Sequence, residues 1–201
     1  MTTPETADRS RCAWATSTPD YIAYHDDEWG TELHGDVALF ERLTLEGFQS
    51  GLSWLTILRK RPAFREAFRG FDLAIVAAFD NSDRHRLMTD SRIVRNRSKI
   101  DATIGNARAV LDSVPEGLDA LLWSFAPHNH VRPQTLGDVA STSPESTALA
   151  KELKRRGLRF VGPTTAYALM QATGMVDDHV ADCWRSSSAP ARSLRTRRSV
   201  G

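Results

Sequence analysis

Long hydrophobic runs are missing from this 201-residue chain. No stretch of about 18 apolar residues occurs, the length a membrane-crossing helix needs. No signal peptide opens the chain, so a cytoplasmic protein without membrane attachment is expected. Cysteine is scarce: Cys12 and Cys183 are the only two, and they lie near opposite ends. In a reducing compartment a disulfide between them is disfavoured, and metal binding is the better reading. Charge of one sign is not in surplus, because the formal net charge is +1. A nucleic-acid binder remains open only if its positive charge is local. No segment alternates apolar and polar residues over strand length, and no internal repeat is visible. That leaves an all-α fold. With 41% apolar and 25% charged residues, the chain suffices for one domain with a real core.

What is present centres on Leu39 to Leu58, a nearly apolar run with one carboxylate, Glu46, in its middle. An ionised Glu is costly to bury without a partner. Glu46 is therefore paired, exposed at a kink, or kept for a task. Gly47 and Gly51 mark a break or a close approach. The pattern predicts a helix from about Asp36, interrupted near Gly47 to Gly51 and resumed at Ser53. Such a break places Glu46, Gln49 and Trp54 around one hollow.

Ahead of this run, residues 1–11 are polar and expected to be disordered. Residues 12–30 are dense in aromatics: Trp14, Tyr21, Tyr24 and Trp29 stand among His25, Asp26, Asp27 and Glu28. Beyond the run, short helices follow. Pro62 suits a first helical turn, Asp72 and Ser82 suit N-caps, and Arg97 to Ser113 has helical apolar spacing. Arg92, Arg95, Arg97 and Lys99 form a basic segment, either a solvated face or a set of phosphate contacts. Residues 118–125 read as a short helix. Residues 126–144 read as a loop, with His128 and His130 as a weak metal pair. Thr142 or Ser143 caps the next helix, with Pro144 in its first turn, and Gly157 ends it. A tight turn through Gly162 and Pro163 then opens another helix. That is the pattern of a helix-hairpin-helix, whose backbone N–H groups can hold a DNA phosphate. Residues 185–201 read as a disordered basic tail able to attract polyanions, leaving 12–184 as the domain.

His179 and Cys183 are four residues apart, which on a helix gives them one face. With Cys12 and His25 they make two thiolates and two imidazoles, enough for a closed tetrahedral zinc shell. Four protein ligands leave no open position, so such a site is structural and ties the chain's two ends together. Independent buried cysteines and histidines are the plain alternative.

Four segments together carry a resemblance: YIAYHDDEWG, LFERLTLEGFQSGLSWLTIL, RSKIDATIGNA and KRRGLRFVGPTTAYALMQATGMVDDHV. In this order they resemble the bacterial 3-methyladenine DNA glycosylase I family, over about residues 11–183. The resemblance implies an all-helical helix-hairpin-helix DNA glycosylase with a structural zinc on Cys12, His25, His179 and Cys183. It implies base binding by Glu46, with Trp14, Tyr21, Tyr24 and Trp54 lining the pocket. Gly51 and Leu52 match the loop that presses into the gap left by a flipped base. Val161, Gly162, Thr164 and Thr165 match the phosphate-holding hairpin. The partner implied is double-stranded DNA containing alkylated adenine, met by a monomer. Bifunctional relatives carry a lysine nucleophile at the second hairpin helix. Here Gly162-Pro163-Thr164-Thr165 has none, so no lyase activity is expected. The wider superfamily places a catalytic aspartate at the position of Asp177, where this family commonly has asparagine. Asp177 is therefore a second catalytic candidate beside Glu46, with helix capping as its plain alternative. The rival functions are a non-catalytic zinc-stapled DNA-binding module, which has no need of Glu46 among aromatics, and a zinc hydrolase, which needs an open metal position.

Overall fold

The apolar run around Glu46 folds as two helices. The computed structural model describes residues 9–187. In it α2 spans Asp36–Gln49 and α3 spans Trp54–Ala67. Gly47 stays helical and the break falls at Ser50–Ser53, where Gly51 takes φ 84° and Ser53 caps α3 by accepting from Thr56 N–H. The other helices are α1 Pro19–Asp27, α4 Leu73–Ala77, α5 Asn81–Thr89, α6 Arg97–Ser113, α7 Leu118–Trp123, α8 Pro144–Arg155 and α9 Pro163–Ala172. No strand occurs among the described residues, so the all-α expectation holds.

α2 is central and packs against α3, α6, α7 and α9, while α8 and α9 lie side by side. Its apolar stripe feeds a core in which Phe48 meets Phe64 edge-on at 4.8 Å and Phe68 stacks on Phe71 at 5.5 Å. Edge-on and offset rings add to plain area burial. A second, smaller cluster gathers Cys12, Tyr24, Trp29, Leu58, Ala172, Val180 and Cys183. It joins the start of the domain to its end.

Several local expectations are met. Asp72 accepts from Ile75 N–H at 2.9 Å. Ser143 accepts from Ser146 N–H, with Pro144 in the first turn of α8. Gly157 follows that helix at φ 93°, a conformation glycine adopts without steric cost.

Other expectations need correcting. Pro62 does not open a helix; it lies inside α3. Burial of Ile57, Leu58, Phe64 and Ala67 along one face of α3 outweighs the missing backbone donor. The cap of α5 is Asp80, not Ser82, because its carboxylate accepts from both Ser82 and Asp83 N–H. His179 and Cys183 do not share a helix face, since residues 177–180 form no helix and a turn follows. Asp177 accepts from His179 N–H at 3.2 Å, a local side-chain bond that competes with helix formation. In the basic segment Arg92, Arg95 and Arg97 are exposed, as a solvated face requires, while Lys99 departs from it. Arg92 pairs with Asp90 and Glu66, Arg97 pairs with Asp101, and Lys99 is buried.

At the chain start, Arg11 forks onto Asp26 and Ser10 O accepts from Trp184 N–H at 2.9 Å. Residues 9–11 are thus held, contrary to the expected disorder. Residues 1–8 and 188–201, where the rest of the two expected disordered ends falls, lie outside the described residues. Among the described residues no helix is long and apolar enough to cross a membrane.

Candidate active site and candidate metal centre

The aromatic residues of the N-terminal segment are set by two short elements. A 3-10 turn, Ala13–Thr16, places Trp14. Thr18 caps α1 by accepting from Tyr21 N–H, and Pro19 supplies a fixed first turn. Helix α1 then presents Tyr21 and Tyr24 at three-residue spacing. Trp14 stands edge-on to Tyr21 at 5.6 Å and to Trp29 at 5.1 Å, and Tyr24 lies 5.4 Å from Trp54. Tyr21 Oη accepts from Leu55 N–H at 3.0 Å, fastening α1 to the start of α3.

These rings wall a cavity of about 400 Å³. Trp14, Tyr21, Tyr24, Glu46 and Trp54, the five residues implied as base-binding, all line it, with Gln49 beside them. The break after α2 therefore does gather Glu46, Gln49 and Trp54 around one hollow. Glu46 is 5% exposed and makes no hydrogen bond or ion pair with any described residue. Burial pushes its carboxyl up to about 7, against the opposing pull of Arg42. Arg42, one turn earlier on α2, donates to Tyr24 Oη at 3.0 Å and to Glu28 at 3.2 Å. Arg61 grips the same Glu28 with two nitrogens. The wall behind the cavity is thus a closed charge network that leaves Glu46 out.

Asp177 does not line the cavity. Its carboxylate pairs with Arg132 and accepts from His179 at Nδ1 and at the backbone N–H. Its neighbour Asp178 lines the cavity instead, 3% exposed. Burial alone would raise the Asp178 carboxyl. Bonds from His130 (2.8 Å), Gln171 (2.7 Å) and Tyr167 (3.0 Å) bring it below the usual carboxylate range. The sequence reading missed Asp178 and Gln171, along with Leu136, Val139, Ala168 and Ala172. The V-D-D-H run offered two aspartates, and only the tertiary fold decides which one faces inward. Leu136 and Val139 come from the 126–144 loop and carry no periodic signal.

The residues implied to meet DNA fall on two turns. Gly51 and Leu52 sit in the link between α2 and α3, with Leu52 41% exposed. Val161 is a core residue at 1%, so only its backbone is available. Gly162 caps α9, its carbonyl accepting from Ala166 N–H at 2.8 Å. Thr164 is exposed and Thr165 half-buried in the first turn of α9.

Cys12, His25 and Cys183 form a buried group whose ligand atoms lie within 4.8 Å of one another, and Cys183 Sγ is 3.4 Å from His25 Nε2. His25 Nδ1 is bound to Asp26 at 2.9 Å, which directs Nε2 toward the thiols. His179, the fourth expected ligand, lies outside that 4.8 Å group, but its ring is 5.0 Å from that of His25. Its Nδ1 is held by Asp177 at 2.9 Å, and its Nε2 is buried without a hydrogen-bond partner. Gly30 makes room for it: at φ 74°, an added Cβ would stand 2.6 Å from His179 Cε1.

The described residues are thus an all-helical domain built around an aromatic cavity with an unpartnered carboxylate, with its first and last segments joined at a Cys/His cluster. The family model for methyladenine glycosylase matches residues 14–186, and the chain belongs to that family; it is a glycosylase, a hydrolase by class. It is 46% identical to DNA-3-methyladenine glycosylase 1 of Escherichia coli, over 86% of this chain and 95% of that protein. It is 42% identical to DNA-3-methyladenine glycosylase of Haemophilus influenzae, over 87% and 96%. A crystal structure of 3-methyladenine DNA glycosylase I superposes with a TM-score of 0.83 at 42% identity, covering 87% of this chain and 98% of that one. A structure of the Staphylococcus aureus 3-methyladenine DNA glycosylase I, solved for its 3-methyladenine recognition, superposes at 0.81 with 37% identity, covering 86% and 94%.

Proposed function

We propose that the protein removes 3-methyladenine from alkylated double-stranded DNA by hydrolysis, without strand cleavage. The single observation that carries this reading is Glu46: a buried carboxylate with no protein partner, set in a cavity walled by Trp14, Tyr21, Tyr24 and Trp54. An isolated buried carboxylate is unfavourable and is tolerated where a ligand completes it. 3-Methyladenine in DNA is cationic and carries an amino edge. Glu46 accepts from that edge and opposes its charge, while the aromatic faces add roughly 0.5–2 kcal/mol per good cation–π contact. Neutral adenine forgoes the charge term.

The target base must leave the stack to reach such a cavity. Leu52, exposed on the α2–α3 link, fills the gap it leaves. The turn from α8 into α9 acts as a helix-hairpin-helix, with the amides of Thr164 and Thr165 toward a phosphate. A cationic base is a good leaving group. The protein's task is then to hold the charge-separated state while water attacks C1′. With no lysine at Gly162-Pro163-Thr164-Thr165, no Schiff base forms on that turn. Borohydride trapping should give no covalent DNA adduct.

A structural zinc fits the Cys/His cluster. Cys12, Cys183, His25 and His179 are the donor set zinc prefers. Each histidine has Nδ1 held by an aspartate, which leaves Nε2 for a metal. The orphaned Nε2 of His179 is the atom such an ion would satisfy. The ion would fasten the Trp14–Tyr24 wall to the chain's far end and supply no chemistry to the reaction.

The test is release of free bases from N-methylated duplex DNA, resolved by chromatography, for the parent and Glu46→Gln. Selective release of 3-methyladenine by the parent, lost in the variant, supports the reading. Intact DNA binding without release of any methylated base would overturn it in favour of a DNA-binding module.

A further inference from the structure

Two buried polar side chains on α6 take no part in the cavity. Lys99 is 7% and Asn106 6% exposed, and with Thr103 between them they share one helix face. Lys99 Nζ donates to Phe48 O at 2.9 Å and Ser50 O at 2.7 Å. These are carbonyls at the C-terminal end of α2, which lack helical donors and favour a cation. Two turns on, Asn106 grips both backbone groups of a single residue. Its Oδ1 accepts from Arg159 N–H at 2.8 Å, and its Nδ2 donates to Arg159 O at 3.0 Å.

What each side chain holds is a turn with an exposed apolar residue. Beyond Ser50 come Gly51 and Leu52, the latter 41% exposed. Beyond Arg159 comes Phe160, 42% exposed and at φ 58°, followed by Val161 and Gly162 at the entry to α9. A positive φ at a bulky residue is unfavourable and persists only where neighbours impose it. Asn106 is such a neighbour. The Phe160 turn also packs on α2 just ahead of the Gly51–Leu52 link, since an added Cβ on Gly47 would stand 3.5 Å from Phe160 O. Gly105 leaves the space in which Arg159 crosses α6, with 3.4 Å from its would-be Cβ to Arg159 Nη2. Lys99, Gly105 and Asn106 all fall within RSKIDATIGNA, a segment the pocket does not explain.

We propose that Lys99 and Asn106 are positioning residues that hold the Gly51–Leu52 link and the Phe160–Gly162 turn in one register, so that duplex DNA engages both together. This rests on the glycosylase reading above. Two contacts on a rigid frame spare the ordering cost that two loose loops would incur on binding. Neither Lys99 nor Asn106 lines the base-sized cavity, and Lys99 bonds the carbonyls of Phe48 and Ser50 and not the side chains of Glu46 or Gln49, so free-base affinity depends less on this register than duplex affinity does.

The test uses the full chain with Lys99→Met and Asn106→Leu, singly and together. Three quantities are read: kcat and KM for base release from N-methylated duplex, affinity for a duplex carrying a tetrahydrofuran abasic analogue, and affinity for free 3-methyladenine by tryptophan fluorescence. Each single variant should raise KM and the duplex Kd about tenfold, the scale of one lost charged or paired hydrogen bond. The free-base Kd and kcat should stay within about twofold of the parent, well inside that tenfold. The double variant should lose less than the product of the singles, because either loss already uncouples the turns. Should Asn106→Leu not fold, Asn106→Asp keeps the acceptor and removes the donor, and is read in the same way. Unchanged duplex affinity in folded variants, or free-base affinity falling in step with it, would overturn the proposal while leaving the glycosylase reading intact. A parent that neither releases 3-methyladenine nor binds the duplex would overturn both.

Discussion

Arg42 and Glu46 lie one turn apart on α2, both buried, and every hydrogen bond of the guanidinium goes to Tyr24 or Glu28 and none to Glu46. The nearest cation therefore lowers the cost of ionising Glu46 without removing it. The groups around this carboxyl are Arg42 on its own helix, Tyr24 from α1 and Asp178 across the cavity. Its folded value of about 7 stands above the ordinary 4.5. A raised carboxyl contributes stability that is full below about pH 4.5 and lost as pH climbs through about 7. The amount at stake is on the order of 3 kcal/mol. Glu46→Gln should thus be more stable than the parent above pH 7, with the gap narrowing toward pH 4.5, while its affinity for free 3-methyladenine falls. Thermal melts from pH 4.5 to 8 check this; a gap independent of pH would refute the burial argument.

The Cys/His cluster predicts one zinc per chain by elemental analysis. Structural zinc contributes directly to folding. A strong chelator should lower the melting temperature and not merely the rate, and Cys183→Ser should leave the protein metal-free. Gly30→Ala should weaken metal retention too, because its new methyl collides with His179. A melting temperature indifferent to chelator would dismiss the staple.

Asp177 belongs with the Cys/His cluster and not with the pocket. It binds Arg132 and His179 and does not line the cavity. Asp177→Asn should weaken metal affinity by roughly 10–100-fold, as loss of a histidine-orienting carboxylate does. Free 3-methyladenine should bind as before. A variant that keeps its metal but loses the base would return Asp177 to a direct catalytic part.

Pro62 sits exposed in the interior of α3, where it withholds a donor from the helix ladder. Pro62→Ala should stabilise the protein by on the order of 1–3 kcal/mol, since a proline interior to a helix is unfavourable by about that much. Chemical denaturation reads this directly. A neutral or negative result would mean that proline's stiffening of the unfolded chain dominates.

The helices and the cavity wall were legible because their signals are local. The apolar period sets α2 and α6, and the aromatic crowd at 14–29 does line the pocket. Pro62 and Ser82 misled because propensity yields to packing and to a better cap two residues earlier. Lys99 was read among arginines as part of a basic face. Its helical phase with Thr103, Asn106 and Val110 was the available sign that it points inward. Which of Asp177 and Asp178 faces the cavity was not legible at all, since neither lies in a periodic element and distant partners, Arg132 for one and Tyr167 and Gln171 for the other, fix the sense. His179 and Cys183 were rightly brought near His25, but by a turn and not by a helix.

The thiols of Cys12 and Cys183 are 0% and 2% exposed. Electrophilic methylating reagents attack sulfur readily in its thiolate form. Here sulfur sits directly behind the wall that carries Trp14 and Tyr24. Its enclosure means that a reagent reaches it only when the two ends of the domain part. The rate of chemical attack on the sulfur is then scaled down by the fraction of time that seam stands open.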